Sequence, residues 1–501
     1  GQGASGDTPA PTKAPASTGS SSGSDSSGGD AAKPEEPITL KVLTSLYGNP
    51  PKEENNQAKL DFEKRGNVKL DIEFVPADAY ADKLSVALAS KTGYDLILFE
   101  GKSDKYVSLA KQGAFHDLEP FLEGKENLLY TPQPVWENTK VGGKLYGIPR
   151  PRGLYGGGEA SFIMRKDWLG KLGLEVPKTI DDLTNVLRAF RDNDPAGDGK
   201  TIPMNAFARD EHVFGATSAV FYAFGVPNYY TIDNGEPKYL AQTPQYKQYL
   251  DWLRMAYAEG LIDKDAPILK QQQAREKFYS GIGGAYVFHV GALNDGNYDL
   301  MRKSAEGAEL VVVPPLEGPG GRNTSLESGY FGLWVIPSSV PKEKAEKIVE
   351  FLDFSASEEN FIFSKAGVIG IHSEKFENGV AVQTDAQKEL TVAEIPSAFV
   401  LQNRYDPYNY AQSTDPEISK YQKEQLDILA TVNGIANPFS GLNSPTMAQN
   451  PDHLKGVHSM SLKYVMGEAE WDEVQKEIDA WANGIGGTIL SEFMEQYESL
   501  Q

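Results

Sequence analysis

Cysteine is missing from this chain altogether. That excludes disulfides, thiol catalysis and cysteine-ligated zinc. No apolar stretch approaches the roughly 20 residues of a membrane-spanning helix, and no run among these residues reads as a signal peptide. Positive charge is in deficit, with 48 Lys and Arg against 70 Asp and Glu and a net charge of −22. Nucleic acid and an anionic membrane both need a basic face, so neither is an expected direct partner. Histidine is scarce: His116, His212, His289, His372, His453 and His458 are the full set, and none has HExxH or HxH spacing. There is no G-x-S-x-G nucleophile elbow. Gly101-Lys102-Ser103 ends like a phosphate loop, but Leu96 stands where that loop needs its first glycine, so the backbone cradle is missing.

What the chain does contain is organised from its front end. Residues 1–37 are Gly, Ser, Ala, Thr and Pro with scattered charges and no large apolar residue. That composition cannot bury a core and reads as a solvated tether. The first residue is Gly rather than Met, which suggests a mature or trimmed form with a lipid-carrying cysteine once standing before it. From Ile38 the pattern becomes strand, helix, strand, helix, strand. Val68, Leu70, Ile72 and Phe74 alternate strictly, as in a half-buried strand. Asp95–Phe99 is a short buried-strand run. This alternation predicts an α/β fold with a parallel sheet, whose ligands bind beyond the strands' carboxyl ends, here Ser45–Gly48 and Phe99–Lys102. A second unit follows Pro149. Thr179 to Asp182 predicts a helix start, with Leu183, Val186, Leu187 and Phe190 as its apolar stripe. A strand over Gly329–Ile336 and a helix over Ser338–Phe354 are expected next. The C-terminal part is helical, Trp471 and Trp481 read as core, and Gly484 fits a C-cap.

Two local constellations point to chemistry. Asp192 to Lys200 resembles a calcium loop, with Asp192, Asp194 and Asp198 as candidate ligands. A calcium loop needs oxygen at alternate positions and a bidentate glutamate at its end. Ala196 and either Asn205 or Pro203 fall at those places, so the favoured reading is a helix-ending turn. Tyr146 to Arg152 is the sharper feature. Its prolines stiffen an extended segment, and Arg150 and Arg152, two apart, share one face. Two guanidinium groups on one face suit a carboxylate ligand; internally paired arginines are the alternative. Tyr47, Phe99, Phe214, Phe288, Tyr330 and Tyr405 lie at expected strand ends and loops. For each alone, core packing is the better explanation. As a set they could line a cleft, since flat apolar faces stack on sugar rings.

Gly143-Lys144-Leu145-Tyr146-Gly147-Ile148-Pro149 resembles family 1 extracellular solute-binding proteins. So does Phe162 to Leu169, followed by Leu172-Gly173-Leu174 and Pro177-Lys178-Thr179. These proteins are the carbohydrate-type lipoproteins of Gram-positive ABC importers. Glu343 to Glu359 and the ending around Met466-Gly467-Glu468 are also similar, and the likeness runs in order from Ile38 to Gln501. It implies a two-lobe, periplasmic-binding-protein-like fold, with lobe one at 38–149 and 316–370 and lobe two at 150–315 and 371–501. Crossings fall near Pro149, near Pro314 and near Gly367–Ile371. The ligand sits between lobes that close by hinge motion. Some relatives carry a calcium loop at the place of Asp192 to Lys200, which is shortened here. Relatives often have a Trp where this chain has Phe288-His289.

The expected function is therefore capture of an oligosaccharide for delivery to a membrane permease, by a monomer held at the cell surface through a lipid anchor. No catalysis and no cofactor are expected. The expected ligand residues are Tyr47, Phe99, Glu100, Lys102, Arg150, Arg152, Phe288, Tyr330 and Tyr405, with the aromatics stacking and Glu100 and Lys102 bonding hydroxyls. Arg150 and Arg152 motivate the further expectation that the ligand carries uronate groups. Alternatives from other classes are a polysaccharide-active hydrolase or lyase, which needs a convergent acid/base pair, and a peptide-binding or sensor protein of the same fold.

Overall fold

A computed structural model describes residues 35–90, 93–155, 159–287, 289–407, 413 and 415–501. Gly1–Pro37 and Ile38–Gln501 are separate units. The tether expected at the front lies almost wholly outside the described residues, as does Phe288.

The strands of the two principal sheets are labelled β1 to β8 along the chain: Ile38–Leu46, Val68–Pro76, Leu96–Phe99, Ile148–Pro151, Phe162–Arg165, Ala285–Val287, Leu310–Val313 and Tyr330–Val335. The first sheet has the order β2–β1–β3–β8–β4. Its β2, β1 and β3 run parallel, as the alternation of strands and helices predicts, whereas β8 runs antiparallel to both neighbours. The parallel strands are joined by helices that cover the sheet, so β1 buries Leu40, Val42 and Leu43 completely. The second sheet, β6–β5–β7, is antiparallel throughout. The chain enters it after β4 and returns from it to β8.

Helix starts follow their caps. Asn56 and Ser103 each accept a backbone N–H from the first turn of their helices, Gln57–Gly66 and Asp104–Lys111. Thr179 and Asp182 form the reciprocal capping box that their spacing predicts, and Leu183, Val186, Leu187 and Phe190 are buried along the helix Ile180–Asn193. The first of these helices begins at Gln57, because Asn56 is the residue whose side chain closes the first turn. Gly484 ends the helix Trp471–Asn483 with φ −112°, outside the left-handed region, and the chain turns directly into Ile485–Ser499.

Each sheet anchors its own hydrophobic core. Phe399, Val400 and Leu401 pack in the core of the first sheet. Trp334 donates its indole N–H to the Leu401 carbonyl at 3.0 Å, and the Gln402 amide donates to the Pro149 carbonyl at 2.7 Å. These bonds fasten 396–402 beside β8 and β4, where the segment becomes the wall of a cavity.

Candidate functional site

The carboxyl end of β1 runs into Tyr47-Gly48-Asn49-Pro50, and together with Glu100, Arg150, Arg152 and the start of β8 this turn surrounds a cavity of about 1060 Å³. Residues from 392–403 close the far side. The cavity therefore lies beyond the carboxyl ends of parallel strands, where open α/β sheets leave room for ligands.

Arg150 and Arg152 do share a face. Their guanidinium carbons lie 4.5 Å and 5.5 Å from the centroid of the same ring, Phe331, and Arg150 is also 5.6 Å from Trp334. A register shift between Tyr330 and Leu333 lets β8 present both Tyr330 and Phe331 to the cavity. Gly332 keeps that stretch open, since a Cβ there would stand 2.8 Å from a Leu98 methyl and 3.5 Å from the Arg150 side chain. Arg150 Nε has no hydrogen-bond partner among the described residues. Burial lowers the Arg150 pKa to about 10, and among the described residues Tyr80 and Tyr47 act against it. No carboxylate among the described residues compensates this cation. An uncompensated charge that stays protonated in a cavity wall is a group held ready for an anion.

Tyr330 also faces a second cavity, of about 480 Å³, with Lys102, Glu327, Ser328, Asn437 and Ser440 among its walls. Tyr330 is placed by Gly329, whose φ is +82° and whose missing Cβ would fall 2.4 Å from Val135. Lys102 follows β3 just before the Ser103 cap. Burial alone lowers its pKa to about 8. Glu327 is pushed upward by burial, with Arg152 pulling it down and Glu159 adding to the rise. Glu159 itself pairs with Arg209 at 2.6 Å.

Six of the nine expected ligand residues thus stand around two adjoining cavities: Tyr47, Glu100, Arg150, Arg152 and Tyr330 at the first, and Lys102 with Tyr330 at the second. Tyr47 is 81% exposed. Phe99 is a correction. It is 1% exposed and packs on Tyr106 and Phe115, because alternation along β3 turns Leu98 and Glu100 toward the cavity and Phe99 away from it. Tyr405 is also buried, its hydroxyl accepting the Leu154 N–H at 3.5 Å, which fits a packing role. Phe214 is fully buried in the second core. Phe331, Trp334 and Glu327 were not anticipated. Phe331 follows an expected ligand residue directly, but strict alternation in a strand would turn it to the opposite face.

At the acidic turn, the Asp194 carboxylate accepts the Gly199 N–H at 2.8 Å, the Thr201 N–H at 3.2 Å and the Thr201 hydroxyl at 2.6 Å. The loop is closed by its own donors, as an Asx-type turn.

Two sheets, each with its own core, and a polar, aromatic-lined cavity at the strand ends make up a two-lobe α/β fold. The profile of the bacterial extracellular solute-binding proteins matches residues 49–360, and the chain belongs to that family. It is 27% identical over 485 residues to the polygalacturonan/rhamnogalacturonan-binding protein YtcQ of Bacillus subtilis, covering 93% of both chains. It is 28% identical over 473 residues to lipoprotein LipO of the same organism, covering 92% of both. Its fold matches that of an HMO-binding, ABC-transporter-associated solute-binding protein from Bifidobacterium longum infantis, with a TM-score of 0.59 at 20% identity over 93% of this chain and 99% of the other.

Proposed function

We propose that this protein is the extracellular capture component of an ABC importer and that its ligand is an oligosaccharide carrying uronate groups. The observation that carries this reading is the pair Arg150 and Arg152 on one aromatic face of a 1060 Å³ cavity, with Arg150 uncompensated by any carboxylate among the described residues. A sugar carboxylate supplies the missing charge, Tyr47 and Tyr330 supply flat faces, and Glu100 and Lys102 bond hydroxyls. Similarity to a polygalacturonan/rhamnogalacturonan-binding protein supports the acidic ligand.

The reading is capture without catalysis, with no resident cofactor or calcium, by a monomer that hands its ligand to permease subunits. Lipoprotein LipO as a relative, and the composition of residues 1–37, support a lipid anchor at the cell surface. Lobe one takes 38–154 and about 327–402, with Leu500 returning to its core, and lobe two takes the remainder. Phe399 to Leu401 pack in the first core while Leu426 and Leu429 pack against the second sheet, which supports a third crossing after Leu401, beyond the expected Gly367–Ile371.

The test is calorimetric titration of wild type and an R150A/R152A variant with trigalacturonate and with a neutral trisaccharide. Two charge-assisted contacts predict a loss of about a hundredfold or more for the acidic ligand alone. Unchanged affinity in the double variant would remove the uronate assignment.

A further inference from the structure

Glu394 is a fully buried carboxylate in the segment that closes the far side of the Arg150 and Arg152 cavity. It is the last residue of the helix Asp385–Glu394, and the His372 side chain beside it is buried as completely. His372 Nδ1 accepts the Val368 N–H at 3.0 Å, which leaves the ring proton on Nε2, 2.8 Å from Glu394 Oε1. The same oxygen accepts the Ala58 N–H at 2.9 Å, and the exposed Lys52 brings its Nζ to 3.2 Å from the other. A buried carboxylate needs such partners. An ion pair of this kind adds little stability that apolar packing would not, so its interest lies in what it joins.

It joins two walls of one cavity. The turn Tyr47–Pro50 lines the cavity and runs directly into Lys52, while Val392, Ala393 and Ile395 line it on either side of Glu394. The backbone repeats the connection. The Lys52 N–H donates to the Ala393 carbonyl at 2.9 Å, and the Asn56 side-chain amide donates to the Glu394 carbonyl at 3.1 Å. At its other end the wall is fastened to β8 and β4 through Trp334 and Gln402. Between these anchors Ile395 has φ +37°, in the left-handed region that a β-branched residue rarely adopts. Such a conformation persists only where its surroundings impose it. Here Glu394 holds one side and the packing of Phe399 to Leu401 holds the other.

We propose that Glu394 is a positioning residue for capture: gripped by His372 and Lys52, it clamps the 392–403 wall to the turn after β1 and keeps the cavity formed around Arg150 and Arg152 before the ligand arrives. Glu394 touches no ligand itself. The proposal rests on the capture reading above and adds to it the group that preorganises the site. Without the clamp, the ligand must order the wall as it binds, and affinity falls by that cost.

The test compares wild type with H372F, which removes the donor to Glu394, with K52M, a milder change at an exposed position, and with H372Q, which returns an N–H donor. Amide hydrogen exchange of the ligand-free proteins reads the wall directly. In H372F and K52M the amides of 393–403 should exchange about tenfold or more faster while those of β5 to β7 keep their wild-type rates, and trigalacturonate affinity should fall about tenfold. H372Q should restore both. Unchanged exchange at 393–403 in H372F and K52M, or exchange that quickens equally in the second sheet, would overturn the clamp. So would a loosened wall with undiminished affinity. Failure of wild type to bind trigalacturonate would remove the uronate reading instead, and the clamp would then stand or fall on the exchange rates alone.

Discussion

Lys102 is the residue whose chemistry is tuned most usefully. Its ammonium sits at a cavity wall, and burial brings its pKa from 10.5 down to about 8. The other charges around that cavity are Glu137 and Lys140, paired with each other at 2.9 Å, and Glu327. The sign of the pH dependence follows. Below about pH 8 Lys102 is protonated in the folded protein and attracts an acidic sugar; above it the attraction fades. Affinity for oligogalacturonate should therefore fall as pH rises through about 8, and K102M should flatten that step. In the free protein the unfolded chain holds the proton up to about pH 10.5, the folded one only to about 8. The Lys102 contribution to stability therefore rises with pH across that window. Titrations from pH 7 to 9.5 on both proteins, in matched salt, check the binding step. Phe99 shows the opposite case. Sequence places it beside Glu100 at a strand end, and nothing in its type separates stacking on a ligand from packing under one. Only the choice of sheet face does, and that is fixed by what lies above β3.

At the scale of elements, parallel β1 to β3, the capped helix at Thr179 and the strand before Ser338 were legible because each is written locally, in period-2 alternation, cap spacing or prolines. The site was legible to the extent that it uses strand ends. Arg150 and Arg152 follow from their spacing alone. Phe331 does not, because the irregular pairing of β8 with β4 overrides alternation. The wall at 392–403 was invisible for a different reason. It reaches the site by long-range bonds from Trp334 and Gln402, which no local pattern encodes. The acidic turn yields a prediction at this scale. Asp194 holds the loop through Thr201 and Gly199, so the loop's integrity rests on those bonds. T201V should lower stability by about 1 kcal/mol, and the melting temperature of wild type should be the same in EDTA and in millimolar calcium. A rise of several degrees with calcium would place an ion in the loop.

At the scale of the molecule, an acidic chain carrying an uncompensated cation in its main cavity invites a particular kind of partner. The net charge of −22 repels polyanions in general. An acidic glycan must therefore be drawn in by a local field focused at the cavity walls that carry Arg150, Arg152 and Lys102. Capture also differs from catalysis in what happens to the ligand: the glycan should leave with the chain length it arrived with. The most direct test joins both points. Wild-type protein is titrated calorimetrically with an oligogalacturonide, and the bound glycan is then released by denaturation and sized by mass spectrometry. The account predicts saturable one-site binding with the glycan recovered intact. It also predicts a melting temperature raised in step with occupancy, about 2.7 kcal/mol of stabilisation at a hundred times the Kd. No heat and no stabilisation, or a glycan returned shortened, would contradict it.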